Sequence, residues 1–115
     1  MTTTITERLR GLCMAFPEAH EQEFGGHTKP TWRVNGKIFA MMEEQRDVVW
    51  FKAQPGAQAI LVDAHPETFF VPPYVGHRGW VGVRTDLPGI DWDELRGLIA
   101  ESYQMTAPKR LLKQL

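Results

Sequence analysis

Cationic side chains and the indole of Trp80 gather around two turns of this sequence, within segments 30–42 and 73–84. Lysine and arginine bind phosphate oxygens, and an indole ring stacks on an unpaired nucleobase. The two segments therefore predict contact with nucleic acid, through phosphate contacts that position the ligand without reading its sequence. The predicted contact residues are Arg33, Asn35, Lys37, His77, Arg78, Trp80 and Arg84.

Large apolar side chains in the same part of the chain favour two further interpretations. A cleft between sheet and helices, with methionine adapting to a planar ligand, predicts a small aromatic partner. The residues of this alternative cleft are Trp32, Met41, Trp50, Tyr74 and Trp80. The strand phases of Trp32 and Trp50 also fit a hydrophobic core, and a helix covering Trp80 would complete a second layer. A third interpretation is a protein-interaction adaptor that uses an exposed strand edge or a dimer face.

The residues that carry catalysis or bind metals in other proteins are scattered here. Cys13 lies on the apolar stripe of a helix, which predicts a buried and inert thiol. A loose His/Glu set lacks any tight ligand motif and is typical of solvated edge residues. It consists of Glu18, His20, Glu23 and His27. The glycines match neither a phosphate-binding loop nor a dinucleotide fingerprint. We therefore expect a non-enzymatic protein with no catalytic residues, no metal and no cofactor.

Composition limits the strength of any nucleic-acid binding. The 115 residues, which we expect to form one domain over 1–115, carry a formal net charge of -1, whereas DNA-binding proteins usually show a basic balance. The glutamates gather at 18–23 and 43–44, which leaves room for a local basic face near the two turns. No apolar run resembles a signal peptide or a membrane span, so we expect a cytoplasmic protein without a membrane partner. The oligomeric state stays open.

Hydrophobic periodicity predicts the first half of the fold. A helical stripe from Ile5 to Phe16 ends at Pro17, and a polar edge strand follows over 20–24. Asn35-Gly36 favours a two-residue type I′ turn, because both residues tolerate positive φ. Such a turn predicts three cross-strand pairs on one core-facing side of the hairpin. These pairs are Val34 with Lys37, Trp32 with Phe39, and Pro30 with Met41.

In the second half of the sequence, the pattern predicts a central strand over 48–52 and a short strand over 69–71. Between them, a helix is expected after Pro55. Its apolar stripe consists of Ala57, Ile60, Leu61 and Ala64. A turn over 76–79 leads into a return strand over 80–84. Asp91 is expected to cap the last long helix, with Glu94 completing a capping box. The tail 109–115 adds a helical turn or frays. This order predicts an α+β sandwich with helices against an antiparallel sheet of about five strands.

The two turn segments, with Phe16-Pro17-Glu18 closing the first helix and Glu101-Ser102-Tyr103 near the end of a later one, resemble the MmcQ/YjbR family (DUF419-like). The resemblance implies a YjbR-like sheet packed against three helices, with two projecting hairpins described as a double wing, and the usual label of the family is DNA-binding. Carried over to this sequence, the first wing is Arg33, Asn35, Gly36 and Lys37, and the second is His77, Arg78 and Trp80. The second wing has fewer cations here than the family pattern, which weakens the expected binding to DNA.

Overall fold

One antiparallel sheet organises the chain, and its strand order is β1-β2-β3-β4-β6-β5. The computed structural model describes residues 3–23, 25–26 and 28–115. The α+β class is confirmed, with six strands where the sequence predicted about five. The strands are β1 His20–Glu23, β2 Pro30–Val34, β3 Lys37–Met42, β4 Val49–Lys52, β5 Phe69–Phe70 and β6 Trp80–Val83.

The described residues also form four α-helices: α1 Ile5–Cys13, α2 Ala57–Ala64, α3 Trp92–Thr106 and α4 Lys109–Leu112. The capping box is formed by Thr4 and Glu7 at the start of α1, a position that the sequence analysis did not predict. At the start of α3, Asp91 accepts hydrogen bonds from the backbone N–H groups of Asp93 and Glu94 as expected of an N-cap. Every residue of α2 is at least partly exposed, and Ile60, predicted to be apolar core, is 70% exposed. In the described part of the chain, no helix is long and apolar enough to cross a membrane.

The β2–β3 hairpin forms around the predicted turn but with a different register. Asn35 and Gly36 both have positive φ, 52° and 76°, as a type I′ turn requires, and Val34 pairs with Lys37. An irregularity between Trp32 and Arg33 then shifts the pairing by one residue. Trp32 therefore pairs with Ala40 instead of the predicted Phe39. Thr31, not Pro30, faces Met41. A β-bulge of this kind adds one residue to one strand, which a turn signal in the sequence cannot reveal.

The second predicted hairpin differs more. Its paired strands are β5 and β6, with Phe69 opposite Val83 and Phe70 opposite Gly82. Segment 71–79 forms turns and a 3-10 helix, Gly76–Arg78, before β6 begins. Two consecutive prolines, Pro72 and Pro73, lack the N–H groups that a strand needs, which explains the early end of β5.

One face of the sheet, which we call the closed face, is covered by helices. Trp32, Phe39 and Phe51 from the strands join Leu9 of α1 and Tyr103 of α3 in one buried cluster. Phe16 stacks on Tyr103 at 4.8 Å between ring centroids, and Phe39 meets both rings edge-on. Burial on this scale is the main source of stability in a domain of this size.

The polar groups that enter the closed face have partners. Ser102 donates a hydrogen bond to the carbonyl oxygen of Phe39 (2.6 Å) and accepts one from the backbone N–H of Lys52 (3.1 Å). The Tyr103 hydroxyl donates to the carbonyl oxygen of Pro17 at 2.7 Å. These bonds tie α3 to two strands and to the end of the first helical segment.

Candidate binding groove

The opposite face of the sheet, the open face, carries a separate small cluster. Met41, Trp50 and Trp80 are each at least 90% buried and pack with the half-buried Ile38 and Val75. Strand alternation places these side chains opposite to the closed-face core. The open face is thus apolar in its centre, and the members of this cluster come from the strands and from segment 71–79.

A row of side chains crosses the open face from β3 to β5. Met41 pairs with Trp50, Trp50 pairs with Gly82, and Gly82 pairs with Phe70. The Phe70 ring lies directly over Gly82, because a Cβ atom at that glycine would come within 2.3 Å of the ring. The guanidinium of Arg84 lies 4.8 Å from the centre of the same ring. Phe70 and Arg84 therefore cover this end of the row.

Beside this row, the open face forms a groove with a volume of about 950 Å³. Binding pockets for small ligands typically occupy about 300–1,000 Å³. The groove is lined by Arg33, Gly36, Lys37, Ile38, Met41, Trp50, Lys52, Tyr74, Val75, Arg78, Trp80, Met105 and Thr106. These residues come from four strands (β2, β3, β4 and β6), from the β2–β3 turn, from the 71–79 segment and from the C-terminal end of α3.

The charge of the groove opposes that of the whole chain. Arg33, Lys37, Lys52 and Arg78 line it, and none of the described lining residues is acidic, although the net charge of the chain is -1. Within residues 3–23, 25–26 and 28–115, no ion pair is formed by Lys37, Lys52 or Arg78. Unpaired cations beside an apolar surface favour a ligand that is itself anionic.

Lys52 stands next to an indole ring. It pairs with Trp80 across β4 and β6, and directly opposed residues in antiparallel strands have Cβ atoms about 4.5–5.5 Å apart. A flat ligand on Trp80 would therefore bring an attached anionic group within reach of the Lys52 ammonium.

The rim of the groove contains a strained tyrosine. Tyr74 has φ 68°, and the N–H of Val75 donates to the carbonyl oxygen of Pro73 at 2.7 Å, which closes a γ-turn around Tyr74. A bulky residue rarely adopts positive φ, and such strain is concentrated at ligand clamps and active sites. The ring is 86% exposed. Gln58 of α2 holds this segment by donating to the carbonyl oxygens of Gly76 and Trp80.

Beneath the groove lies an unsatisfied donor. Of the buried side-chain nitrogen and oxygen atoms in the described residues, only Nε1 of Trp50 has no hydrogen-bond partner. On the closed face, the indole N–H of Trp32 donates to Glu21 at 3.0 Å. Hydrogen bonding from Arg10 lowers the pKa of Glu21, so this acceptor is ionised over a wide pH range. The two indoles thus differ sharply in how their polar atoms are satisfied.

Comparison with known proteins places the chain in a family. The family profile named YjbR matches residues 14–105. The chain belongs to the YjbR family. Its fold is also similar to the crystal structure of protein DR2400 from Deinococcus radiodurans, which carries the DUF419 domain, with a TM-score of 0.76 at 20% identity over 90% of this chain and 81% of that one. At this identity the likeness shows the fold alone. Among curated proteins, none matches this chain significantly.

In this YjbR-family chain, the groove brings together residues from both predicted sites. From the predicted nucleic-acid set, Arg33, Lys37, Arg78 and Trp80 line it. Asn35, His77 and Arg84 of that set lie outside it. From the predicted aromatic cleft, the lining residues are Met41, Trp50, Tyr74 and Trp80. Trp32 does not belong to this cleft, because it is fully buried on the closed face. Residues from both predicted sites therefore line the same groove.

Sequence reasoning missed one of the groove cations. Lys52 was assigned only to a central strand, although it lies two residues from Trp50 and so shares its side of β4. That period of two was the available signal. Met105 and Thr106 could not be found this way, because the end of α3 reaches the groove through the tertiary fold alone.

The single cysteine is separate from the groove. Cys13 is fully buried in the closed-face core, as the sequence predicted, and burial raises the pKa of its thiol above the usual range. A predicted loose His/Glu set includes His27, which lies outside the described residues. The described residues contain no group of three or more His, Cys, Asp or Glu side chains arranged to hold a metal ion.

Proposed function

We propose that this protein is a non-enzymatic binder of single-stranded nucleic acid, weak and without sequence specificity, and that the groove on the open face is its binding site. The observation that carries the proposal is a groove in which Lys37, Lys52 and Arg78 lie beside indole rings, with no acidic side chain among its described lining residues. Proteins that bind single strands without sequence preference combine these two features, with bases stacking on rings and phosphates lying on cations.

The geometry favours single strands over duplex DNA. The cations lie in a groove beside aromatic rings, and a single strand offers unstacked bases that can contact such rings, whereas a duplex keeps its bases stacked. Unpaired bases can leave their stack and lie against the exposed ring of Tyr74 and the groove-lining edge of Trp80, with phosphates near Lys37, Lys52 and Arg78. The acidic balance of the remaining surface keeps the affinity low.

The test is a titration of tryptophan fluorescence with a short oligothymidylate and with a duplex of the same length, over a series of salt concentrations. We expect quenching by the single strand at about 50 mM salt, where electrostatic binding is strong, and weaker quenching by the duplex. A wild-type protein with no measurable affinity for oligothymidylate at this salt concentration would refute the proposal.

Two triple variants locate the site. In the groove variant Lys37, Lys52 and Arg78 become Ala, and in the control variant Lys109, Lys113 and Arg96, which lie outside the groove, become Ala. Both variants lose the same net charge. We expect the groove variant alone to lower the slope of log affinity against log salt by about 2, since each phosphate contact to a single strand contributes about 0.7. Equal effects of the two variants would show that the groove is not the site.

A further inference from the structure

We propose that the groove also binds a small planar aromatic anion, and that Nε1–H of Trp50 donates a hydrogen bond to an acceptor on the ring of this ligand. The inference goes beyond nucleic-acid binding, because it assigns a different ligand class and a donor that phosphate contacts do not use. The open face carries one buried donor without a partner among the described residues. Trp50 is 6% exposed, lines the groove and holds the only unpartnered buried side-chain donor in the part of the chain that the structure describes.

Elsewhere in the part of the chain that the structure describes, the buried polar side chains have hydrogen-bond partners. The hydroxyls of Thr31, Thr85 and Ser102 donate to backbone carbonyl oxygens at 2.6 Å each. A buried donor without an acceptor costs stability, and such an exception calls for a specific explanation. An acceptor supplied by a ligand provides one.

The surroundings of Trp50 can open to admit such a ligand. Its cross-strand neighbours are Met41 and Gly82, one a flexible thioether and the other without a side chain. Methionine has three rotatable side-chain bonds and adapts to irregular shapes, so Met41 can move to make room for a ligand beside the indole. Met105 at the far wall of the groove has the same freedom.

The charge and size of the ligand follow from its neighbours. Lys52 lies two residues from Trp50 on the same side of β4, a separation of about 7 Å along a strand. A fused two-ring ligand with an anionic group at one end and a ring acceptor at the other spans this distance. Tyr74, strained and exposed at the rim, is placed to cover the outer face of the rings.

Three matched probes separate the contributions. Quinoline-6-carboxylate has both the anion and a ring nitrogen acceptor, 2-naphthoate has the anion without the ring nitrogen, and quinoline has the nitrogen without the anion. At neutral pH we expect quinoline-6-carboxylate to bind about tenfold more tightly than 2-naphthoate, because one good hydrogen bond typically changes affinity by about this factor. Lys52→Ala should weaken both carboxylates and leave quinoline unchanged.

The decisive readout is the set of indole N–H signals in a ¹H–¹⁵N NMR spectrum of the wild-type protein. The chain has four tryptophans, and the signal of Trp50 is identified as the one missing in Trp50→Phe. We expect this signal to move on addition of quinoline-6-carboxylate and to move much less with 2-naphthoate. The Trp32 signal, already bonded to Glu21, should stay in place and serves as the internal control.

Trp50→Phe should lower the affinity for quinoline-6-carboxylate about tenfold and leave that for 2-naphthoate unchanged, while Trp92→Phe, outside the groove, changes neither. Equal responses of the Trp50 signal to the two carboxylates, or no response to either, would overturn the inference. The ligands are added to the wild-type protein, and Trp50→Phe serves only to identify the signal. Oligothymidylate binding with no quinoline-6-carboxylate binding would break this inference alone. The reverse result would break only the proposed function.

Discussion

The two faces of one sheet follow different rules in this protein. On the closed face, helices exclude water, aromatic rings pack edge to face, and the indole of Trp32 and the hydroxyls of Ser102 and Tyr103 have partners. On the open face, the indole of Trp50 has none among the described residues, and Lys37, Lys52 and Arg78 form no ion pair within them. Alternation along each strand keeps the two arrangements apart, so that the buried core and the proposed binding groove lie on opposite sides of the same backbone.

The largest expected effect is on the closed face. Phe39→Ala removes a fully buried ring from the cluster with Phe16 and Tyr103, and we expect a loss of about 3–5 kcal/mol of unfolding free energy. Its neighbour Ile38 is half-buried and belongs to the open-face cluster, so Ile38→Ala should cost less than half as much. Urea denaturation of both variants measures the difference. Equal losses would mean that the open face also serves as core.

The next effect concerns the polar link between α3 and the sheet. Ser102→Ala leaves the carbonyl oxygen of Phe39 and the N–H of Lys52 without their side-chain partner, which should cost about 1–3 kcal/mol. Thr106→Ala is the control, because its hydroxyl bonds only to a carbonyl of its own helix and should be nearly neutral. An unchanged urea midpoint for Ser102→Ala would show that the closed face tolerates unpaired groups as the open face does.

A matched pair of substitutions compares the two indoles directly. Trp32→Phe loses a hydrogen bond to the Glu21 carboxylate, whereas Trp50→Phe removes a donor that has no partner within the described residues. We expect Trp32→Phe to be the more destabilising by about 1–2 kcal/mol. Thermal or urea unfolding of the two variants gives this difference. A larger loss for Trp50→Phe would mean that its N–H is satisfied in solution.

The smallest effect is a dependence on pH. Arg10 holds the pKa of Glu21 below its usual range, so the folded state gains stability at pH above about 4.3, the ordinary glutamate value, and loses it as the pH falls through the lowered pKa. Glu21→Gln should remove part of this acid-dependent loss, by less than about 1 kcal/mol because the pair is partly exposed. Glu18, paired with Arg110, titrates in both proteins and cancels in the comparison. Identical pH profiles of stability between pH 3 and 6 would contradict this assignment.

The sequence predicted the elements better than their alignment. The α+β class, α1 and the Asn35-Gly36 turn are confirmed, because periodicity and turn chemistry are local signals. The pairing of Trp32 was wrong, because the irregularity beside it is decided by packing across several strands. This error also placed Trp32 and Met41 on the same side, whereas they lie in separate clusters.

For the candidate site, the sequence indicated several of the residues but not that they lie together in one groove. Arg33, Lys37 and Arg78 were predicted as phosphate contacts on two separate wings, and Trp50 and Tyr74 as part of a separate cleft. Only the three-dimensional structure shows that residues of segment 71–79 and of β4 line the same groove and so bring the two sets together. The unsatisfied N–H of Trp50 has no sequence signal, because it depends on which acceptors tertiary packing leaves nearby.

The ring of Phe70 gives the groove a length that can be engineered. It lies over Gly82 in line with Met41 and Trp50, and neighbouring strands are about 4.8 Å apart. Phe70→Ala would uncover Gly82 and lengthen the recess by about one strand spacing, enough for one more fused ring. A side chain at position 82 would instead occupy the space above the strand and push the Phe70 ring away from it. The residues at positions 70 and 82 together therefore determine the length of this recess. Changing them would let a designer select ligands by their number of fused rings.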